Sequence, residues 1–280
     1  MSTASPSHRR RAVPSKRNWA ALLVATFLWV VGMGTAQAQS QQDLDVIRRG
    51  ELRADLWMFY QKNDPDDSNL YKWVLRLQRP WFLPDDWKIS WRFDLPFLYT
   101  NSPGSENPNG HYQNGLGDLF GQVAVTTPQI LPNLTINFGF RMVAPTGGKS
   151  PFGSSQWKAA PQVGFAWERE LAPGIFLEVA PMVRYFRGFG TLHAGTTTTR
   201  DYDVYPTIGL RLPDDWTIFL WDENSLTYGA RANAWFVPFD IMVTKRIYNS
   251  FQLGFGAAVK LIDDYPQYKY MIYGRGSYSF

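Results

Sequence analysis

The chain ends on YKYMIYGRGSYSF, residues 268 to 280, and this stretch gives the first indication of its fold. Its even-numbered residues are aromatic, apolar or small, whereas most of its odd-numbered residues are polar or charged. Because side chains alternate between the two faces of a strand, one face can meet lipid while the other meets water. A buried edge strand of a soluble β-sandwich has the same alternation, so the rest of the chain must separate the two folds.

About twelve stretches of the chain alternate in this way, beginning near residue 52. The third stretch has six large apolar residues on one face, namely Trp87, Ile89, Trp91, Phe93, Leu95 and Phe97. Its other face is polar or charged, with Lys88, Ser90, Arg92 and Asp94. A soluble sandwich rarely combines two such faces. The pattern therefore predicts an all-β fold, a transmembrane antiparallel up-and-down β-barrel of about 12 strands over residues 52–280.

The connections between these stretches alternate in length, as an outer-membrane barrel requires. Short turns are predicted at 83–86, 128–133, 170–174, 213–215 and 246–250, and long loops at 100–114, 147–156 and 187–203. With both termini in the periplasm, the short turns lie on the periplasmic side. Leu-Pro-Asp-Asp-Trp occurs twice, at 83–87 and 212–216, which predicts the same tight turn in two hairpins, each followed by an interfacial Trp.

Several prolines fall inside or near the ends of the predicted strands. Proline cannot donate a hydrogen bond to a sheet, so a bulge or a strand end is expected at each of them. These residues are Pro96, Pro145, Pro161, Pro181, Pro206 and Pro238.

The first 38 residues have the pattern of a secretory signal peptide. A basic segment is followed by an apolar run from Trp19 to about Met33 and by a small-x-small site, Ala36-Gln37-Ala38. The alternative is an uncleaved membrane anchor. Residues 39–51 are predicted to be a periplasmic N-terminal segment, either a tail or a plug. Removing residues 1–38 leaves 23 Lys and Arg against 24 Asp and Glu. The positive net charge of the whole chain therefore comes from these first residues, and it does not indicate a nucleic-acid partner.

A set of short motifs lies at strand ends and turns. They are Leu-Arg-Leu-Gln at 75–78, Asp-Asp-Trp at 85–87, Gly-Leu-Gly-Asp at 115–118, Ala-Pro-Thr-Gly at 144–147 and Gln-Trp at 156–157. Together they resemble the outer-membrane family called "MetA-pathway of phenol degradation", whose members are often described as transporters. The resemblance covers about residues 52–280. It implies an outer-membrane barrel linked to uptake of aromatic or other small organic compounds, and it brings no catalytic residues.

Catalytic and metal-binding patterns are weak. His111 and His193 both fall in predicted loops, whereas outer-membrane phospholipase A, which this chain resembles in architecture, needs a Ser and a His on the barrel wall. The loop acids Asp64, Asp66, Asp67, Asp201 and Asp203 are interpreted as a solvated surface rather than a divalent-ion site. We therefore predict no enzyme, no catalytic residues, no metal and no cofactor.

The inward-facing charges are the candidate functional residues. By strand parity the basic ones are Lys72, Arg76, Lys88, Arg92, Arg141, Lys158, Arg184, Arg211, Lys260, Lys269 and Arg275. The acidic ones are Asp94, Asp118, Glu168, Glu178 and Asp240, which leaves an excess of about six positive charges. Charged walls select ions by sign, so an open pore would favour anions. The alternative is that these charges pair across the lumen and fill it.

These patterns predict an outer-membrane channel or transporter for small organic solutes, anion-favouring and fitted to small aromatic acids. A closed structural or surface-binding barrel is the alternative, and a lipid-modifying enzyme a weaker one. Export by the signal peptide would place the protein in the bacterial outer membrane. Its expected partners are outer-membrane lipids, the solute, and the barrel-assembly machinery, which recognises an aromatic carboxy-terminal residue such as Phe280.

Overall fold

In the computed structural model, residues 51–104, 107–148, 151–192, 197–265 and 267–280 are described, and they form strands joined by turns and loops. The predicted signal peptide, residues 1–38, and the predicted N-terminal segment, residues 39–51, lie outside the described residues, except for Glu51. The strand segments are β1 (Arg53–Asn63), β2 (Asn69–Phe82), β3 (Lys88–Thr100), β4 (Gln113–Leu116), β5 (Leu119–Thr126), β6 (Leu134–Ala144), β7 (Gln156–Ala172), β8 (Ile175–Val179), β9 (Met182–Thr191), β10 (Arg200–Tyr205), β11 (Ile208–Leu212), β12 (Trp216–Leu220), β13 (Leu226–Gly229), β14 (Ala234–Tyr248), β15 (Phe251–Asp263) and β16 (Tyr268–Ser279).

The segments form a closed antiparallel barrel with twelve strand positions in its wall, which confirms the predicted fold class. Eight positions hold one unbroken strand, and four hold two segments in succession: β4 with β5, β8 with β9, β10 with β11, and β12 with β13. Each position pairs with its neighbours in the chain, and β1 pairs with β16 to close the ring. Among the described residues, no helix is long and apolar enough to cross a membrane.

Five of the six prolines coincide with an irregular point of the wall, as the sequence predicts, whereas Pro161 lies inside β7 in unbroken register with β6. Pro181 and Pro206 lie between the two segments of their positions, and Pro145 follows the end of β6. Pro238 lies at a register shift of β14 against β15. Pro96 lies where β3 exchanges its partner β5 for β4, and its carbonyl accepts the Gly117 amide. A missing amide hydrogen thus coincides with a local change of pairing.

The two Leu-Pro-Asp-Asp-Trp repeats adopt the same tight turn. Asp85 and Asp86 have φ of 58° and 60°, and Asp214 and Asp215 have φ of 59° and 62°. Two consecutive left-handed residues twist a hairpin turn in the sense that its flanking strands require. Trp87 and Trp216 follow these turns and are exposed on the outer wall, so the repeated turn is confirmed.

The alternation of side chains divides the wall into a buried inner face and an exposed apolar outer face. On β3, for example, Asp94 is buried whereas its neighbours Phe93 and Phe97 are exposed. Two side chains of the predicted lipid-facing sets are buried instead, those of Tyr268 and Val237, and Val237 lies at the register shift of β14. Tyr268 belongs to the predicted lipid-facing set, but it is buried and packs at 4.7 Å against the inward-facing Phe236. A register shift between β1 and β16 next to Lys62 turns Tyr268 inward.

The predicted loop at 187–203 is also too long. β9 continues to Thr191, and β10 begins at Arg200 and pairs with β9. The sequence Arg-Asp-Tyr-Asp-Val-Tyr of β10 alternates as a strand should, but its charges suggested a surface loop.

Candidate functional site

One half of the lumen is filled by apolar and aromatic side chains. We call this half the packed side; it is the inner surface of β1, β2 and β14–β16 with one residue of β12. Its buried cluster consists of Trp57, Phe59, Val74, Phe219, Phe236, Met242, Ala258, Tyr268, Met271 and Tyr273. These residues occupy strand positions that alternate with lipid-facing ones, so the cluster lies inside the barrel and closes this half to solvent.

Ring contacts hold the packed side together. The Trp57 ring stacks on Phe59 at 5.7 Å and lies 6.2 Å from Tyr273, which is 5.8 Å from Phe59. The guanidinium groups of Arg76 and Arg275 lie 4.8 and 5.1 Å from the Trp57 ring. A guanidinium group is attracted to the face of an aromatic ring, so these two arginines pack favourably at the edge of the aromatic cluster.

A short segment between β12 and β13, residues 222–224, turns into the lumen; we call it the inward segment. Glu223 Oε1 accepts a hydrogen bond of 3.3 Å from Arg76 Nη2 on β2, five strand positions away around the twelve-position ring. Asn224 donates to Asp240 at 2.9 Å, and Tyr273 donates to the same carboxylate at 2.7 Å. The inward segment therefore spans the lumen and narrows it.

An ion-pair chain continues from Arg76 along the wall. Asp94 is 1% exposed and accepts hydrogen bonds from Arg76 Nε at 3.0 Å and from Arg92 Nη2 at 2.7 Å. One carboxylate thus partly balances two guanidinium groups on adjacent strands. Charge-assisted bonds of this kind fix side-chain position strongly.

The other half of the lumen, which we call the open side, contains a cavity of about 190 Å³. It is bounded by the inner surface of β5–β12 and by Asp222 of the inward segment. Its lining is divided about equally between apolar and polar residues, and the polar ones include Gln122, Thr126, Thr135, Asn137, Gln162, Glu178, Thr207 and Asp222. Such a surface is wetted by water and can exchange hydrogen bonds with a solute.

Three inward-facing arginines lie on the open side or next to it: Arg92 on β3, Arg141 on β6 and Arg184 on β9. We call them the arginine row. Arg141 donates twice to Gln122 Oε1, at 2.8 and 3.0 Å, and Arg184 donates to Gln162 Oε1 at 3.0 Å. Gln122 and Gln162 also line the cavity. No carboxylate among the described residues forms an ion pair with Arg141 or Arg184. Neutral amide oxygens orient these two cations without neutralising them.

Aromatic rings flank the arginine row. The Arg141 guanidinium lies 4.2 Å from the Phe120 ring centroid, and Arg92 lies 5.1 Å from the same ring. Arg184 lies 5.3 Å from Tyr205, which also borders the cavity. Cationic groups thus lie beside π-faces next to the cavity, with Arg141 and Arg184 themselves buried and Tyr205 lining the cavity. This arrangement can attract the carboxylate and pack the ring of an aromatic acid.

The remaining candidate residues lie along the rest of the inner face. Glu168 pairs with Arg211 at 2.8 Å near the short turns, and Glu178 is buried beside the cavity. Lys88 and Lys158 are half-buried near the start of β3 and of β7, which places them near opposite rims of the barrel. Lys72 lies 4.2 Å above the Phe59 ring.

Lys260 and Lys269 differ from the others because they lie at the rim that carries the loops. Lys260 pairs with Asp64 and with Asp263, and Lys269 pairs with Asp67 at 2.6 Å. Asp118 is likewise a rim residue, and it accepts hydrogen bonds from Gly147 and Ser154 of the next loop. Because Asp118 accepts hydrogen bonds from amide and hydroxyl groups of this loop, it holds the loop in place.

The structure adds inward charges that strand parity missed: Arg53, Asp55, Asp201, Asp203, Asp222 and Glu223. Asp201 and Asp203, interpreted from sequence as loop acids, lie in β10, where Thr227 donates to Asp203 at 3.1 Å. Counting one further arginine and five further carboxylates reduces the positive excess from six to about two. The charge is therefore not uniform: basic and acidic side chains are nearly balanced on β3–β9, five against four, whereas five carboxylates face one arginine, Arg211, on β10–β14.

The described residues show little that suggests a catalytic centre. His111 is exposed in the loop before β4, and its main chain is bound by Asn107; His193 lies outside the described residues. Among the described residues, no group of three His, Cys, Asp or Glu side chains could hold a metal ion.

Comparison with known proteins supports the fold. No protein-family model matches the sequence, and no curated protein matches it either. An outer membrane channel from Pseudomonas putida F1 is similar in structure, with a TM-score of 0.64 and 18% identity over 82% of this chain and 96% of that chain.

Two further structures are more distant. The CymD monoaromatic hydrocarbon channel has a TM-score of 0.48 and 9% identity, over 89% of this chain and 95% of that chain. Outer membrane phospholipase A from Escherichia coli also has a TM-score of 0.48, with 12% identity over 84% of this chain and 97% of that chain. At these identities the likeness concerns the fold.

Proposed function

We propose that this chain is a channel of the bacterial outer membrane that passes small organic solutes and favours anions. Residues 1–38 would serve as its signal peptide and residues 39–51 as a periplasmic segment. The likeness to an outer membrane channel supports the location and the general role. The motif resemblance to the "MetA-pathway of phenol degradation" family is in keeping with both.

The observation that carries the proposal is the arginine row beside the cavity. Arg141 and Arg184 keep their positive charge without a carboxylate partner among the described residues. An anion in the cavity would meet the amide groups of Gln122 and Gln162, whose oxygens are held by Arg141 and Arg184, so the positive charge lies directly behind the cavity lining. A cation there would be repelled by the row, although Glu178 and Asp222 reduce the difference.

Small aromatic carboxylates are the solute class that best fits this surface. Their carboxylate complements an arginine fork, and their ring can pack near Phe120 or Tyr205. A neutral aromatic amide of the same shape would lack the charge-assisted bond. It should therefore interact more weakly.

The alternative function, a closed structural or surface-binding barrel, is favoured by the packed side and by the contact between Glu223 and Arg76. In that case the arginine row and the cavity would belong to a closed barrel interior and would pass no solute. The proposed partners of either form are outer-membrane lipids and the assembly machinery acting on Phe280, whose side chain is exposed at the end of β16.

A planar-bilayer experiment separates these functions. The refolded protein is placed in a KCl gradient, and the reversal potential is measured. We expect a conductance that prefers chloride, and a preference lowered in the double variant Arg141→Gln/Arg184→Gln. The matched control is Arg211→Gln, because Arg211 also faces inward but is paired with Glu168. Absence of conductance would support the closed barrel, and preference for potassium would contradict the proposed selectivity.

The solute class is tested by adding benzoate and benzamide in turn to the same channel. Benzoate should reduce the chloride current at lower concentration than benzamide, because only benzoate carries a charge. In the Arg141→Gln/Arg184→Gln variant this difference should disappear. Equal effects of both compounds on the unmodified protein would argue against recognition of a carboxylate.

A further inference from the structure

The outer wall of β9 and β10 has a composition that the channel function does not explain. The two strands pair with Val183 opposite Val204, Tyr185 opposite Tyr202, and Arg187 opposite Arg200. These residues have the parity of the lipid-facing wall, and Val183, Tyr202, Arg187 and Arg200 are exposed. Along the strand axis, the outer side chains thus change from apolar to amphipathic to cationic. Each step spans two residues, a distance of roughly 7 Å.

The tyrosines identify the level of this change relative to the membrane. Tyr185 and Tyr202 lie 4.6 Å apart, and the row continues through Tyr228 to Trp235 on β13 and β14. Amphipathic rings concentrate where the acyl chains meet the headgroups. The arginines lie one step beyond this level, at the rim that carries the loops, which faces outside in barrels of this type.

Arg187 and Arg200 carry like charges in directly opposite positions, an arrangement that destabilises a sheet unless an anion intervenes. A third arginine, Arg231, lies in the turn after β13, where the Ala230 amide donates to the Arg200 carbonyl. Arg231 itself donates to Thr198. No described carboxylate forms an ion pair with any of the three. We call Arg187, Arg200 and Arg231 the outer cationic patch.

We propose that the outer cationic patch binds the phosphate groups of a lipid in the outer leaflet of the membrane. Guanidinium groups bind phosphate through paired hydrogen bonds, and three of them at headgroup level match a phosphorylated glycolipid or phospholipid headgroup. The acyl chains of that lipid would lie below, on Tyr202, Val183 and Val204. This continuity between an apolar wall and a cationic rim favours a lipid over a soluble anion.

Lipid binding by the refolded protein in detergent micelles tests the proposal, read by native mass spectrometry. The probes are bis-phosphorylated lipid A, the same glycolipid without its phosphates, and inorganic phosphate as a competitor. We expect lipid A to bind at least about tenfold more tightly than the dephosphorylated glycolipid, and the variant Arg187→Gln/Arg200→Gln to lose that difference.

The matched control is Arg79→Gln/Arg169→Gln, which removes two exposed arginines of the same outward parity near the rim with the short turns. This control should bind lipid A as the unmodified protein does. Folding of each variant is checked by the heat-dependent mobility of the barrel on a gel. Equal binding of the two glycolipids, equal loss in both variants, or complete competition by millimolar inorganic phosphate would overturn the proposal. Channel selectivity should be unchanged in these variants, because the patch faces away from the lumen.

Discussion

The inward positions of β1 and β16 carry Trp57 and Tyr273, whereas those of β6 and β7 carry Arg141 and Gln162. The first pair belongs to a buried, mostly apolar cluster, and the second belongs to a polar wall beside a cavity of about 190 Å³. Both sides obey the same alternation of inner and outer residues. Alternation therefore determines which side chains enter the lumen, and the type of side chain determines whether the lumen is filled there.

The largest loss of stability is expected when an aromatic ring is removed from the packed side. Trp57 is 1% exposed, so Trp57→Ala removes a fully buried ring and should lower the free energy of unfolding by about 3 to 5 kcal/mol. Urea unfolding in detergent measures it. Gln162→Ala, on the open side, should cost about 1 to 2 kcal/mol, because it removes one acceptor of Arg184. Equal losses would show that the two sides do not differ in packing.

The next effect concerns the carboxylate between two arginines. Asp94→Asn leaves Arg76 and Arg92 without the charge that pairs them, which should cost about 3 kcal/mol of unfolding free energy. The same change adds positive charge to the lumen wall, so the reversal potential should move toward that of chloride. A stable variant with unchanged selectivity would mean that Asp94 is remote from the ion path.

A smaller change in stability is expected where the inward segment meets the packed side. Glu223→Gln weakens a partly exposed ion pair and should cost less than about 1 kcal/mol. Single-channel conductance should nevertheless increase, because the segment loses its charged contact with the opposite wall. Glu168→Gln is the control, since the Glu168–Arg211 pair stays on one side of the lumen. A similar increase in both variants would exclude a special role for the segment.

The smallest effect compares the repeated turns. Asp86 belongs to the β2–β3 hairpin of the packed side and Asp215 to the β11–β12 hairpin of the open side, and both have positive φ. Glycine adopts this conformation without the steric cost that aspartate bears. Asp86→Gly and Asp215→Gly should each change the unfolding free energy by less than about 1 kcal/mol, and equally. Unequal values from urea unfolding would show that the two hairpins differ in strain.

The sequence predicts the barrel well because lipid requires each spanning strand to alternate and every edge to be paired. It predicts the tight turns for the same local reason, as Asp85 and Asp214 show. The inward aromatic cluster was not predicted, since Trp57 and Phe59 on β1 alternate with residues that are also apolar, such as Leu56 and Met58. Alternation of polarity cannot assign a face where both faces are apolar.

The inner acids were missed for different reasons. Asp201 and Asp203 lie in a short segment whose Asp-Tyr alternation resembles that of other strands, so the period-two rule could have found them. Glu223 lies outside any strand, and its contact with Arg76 depends on a turn of the chain into the lumen. A local pattern contains no information on contacts of that kind.

The pairing of β1 with β16 has a consequence for assembly. All other neighbours in the ring follow each other along the chain, so they can form as local hairpins, whereas Arg53 and Ser279 must meet from the two ends of the barrel. The stacked rings of Phe59 and Tyr273 lie 5.8 Å apart across the β1–β16 pairing and stabilise it. A barrel that is closed by a single long-range strand pairing needs its densest side-chain packing at that pairing. The strands farthest from the pairing can then enclose a water-filled cavity.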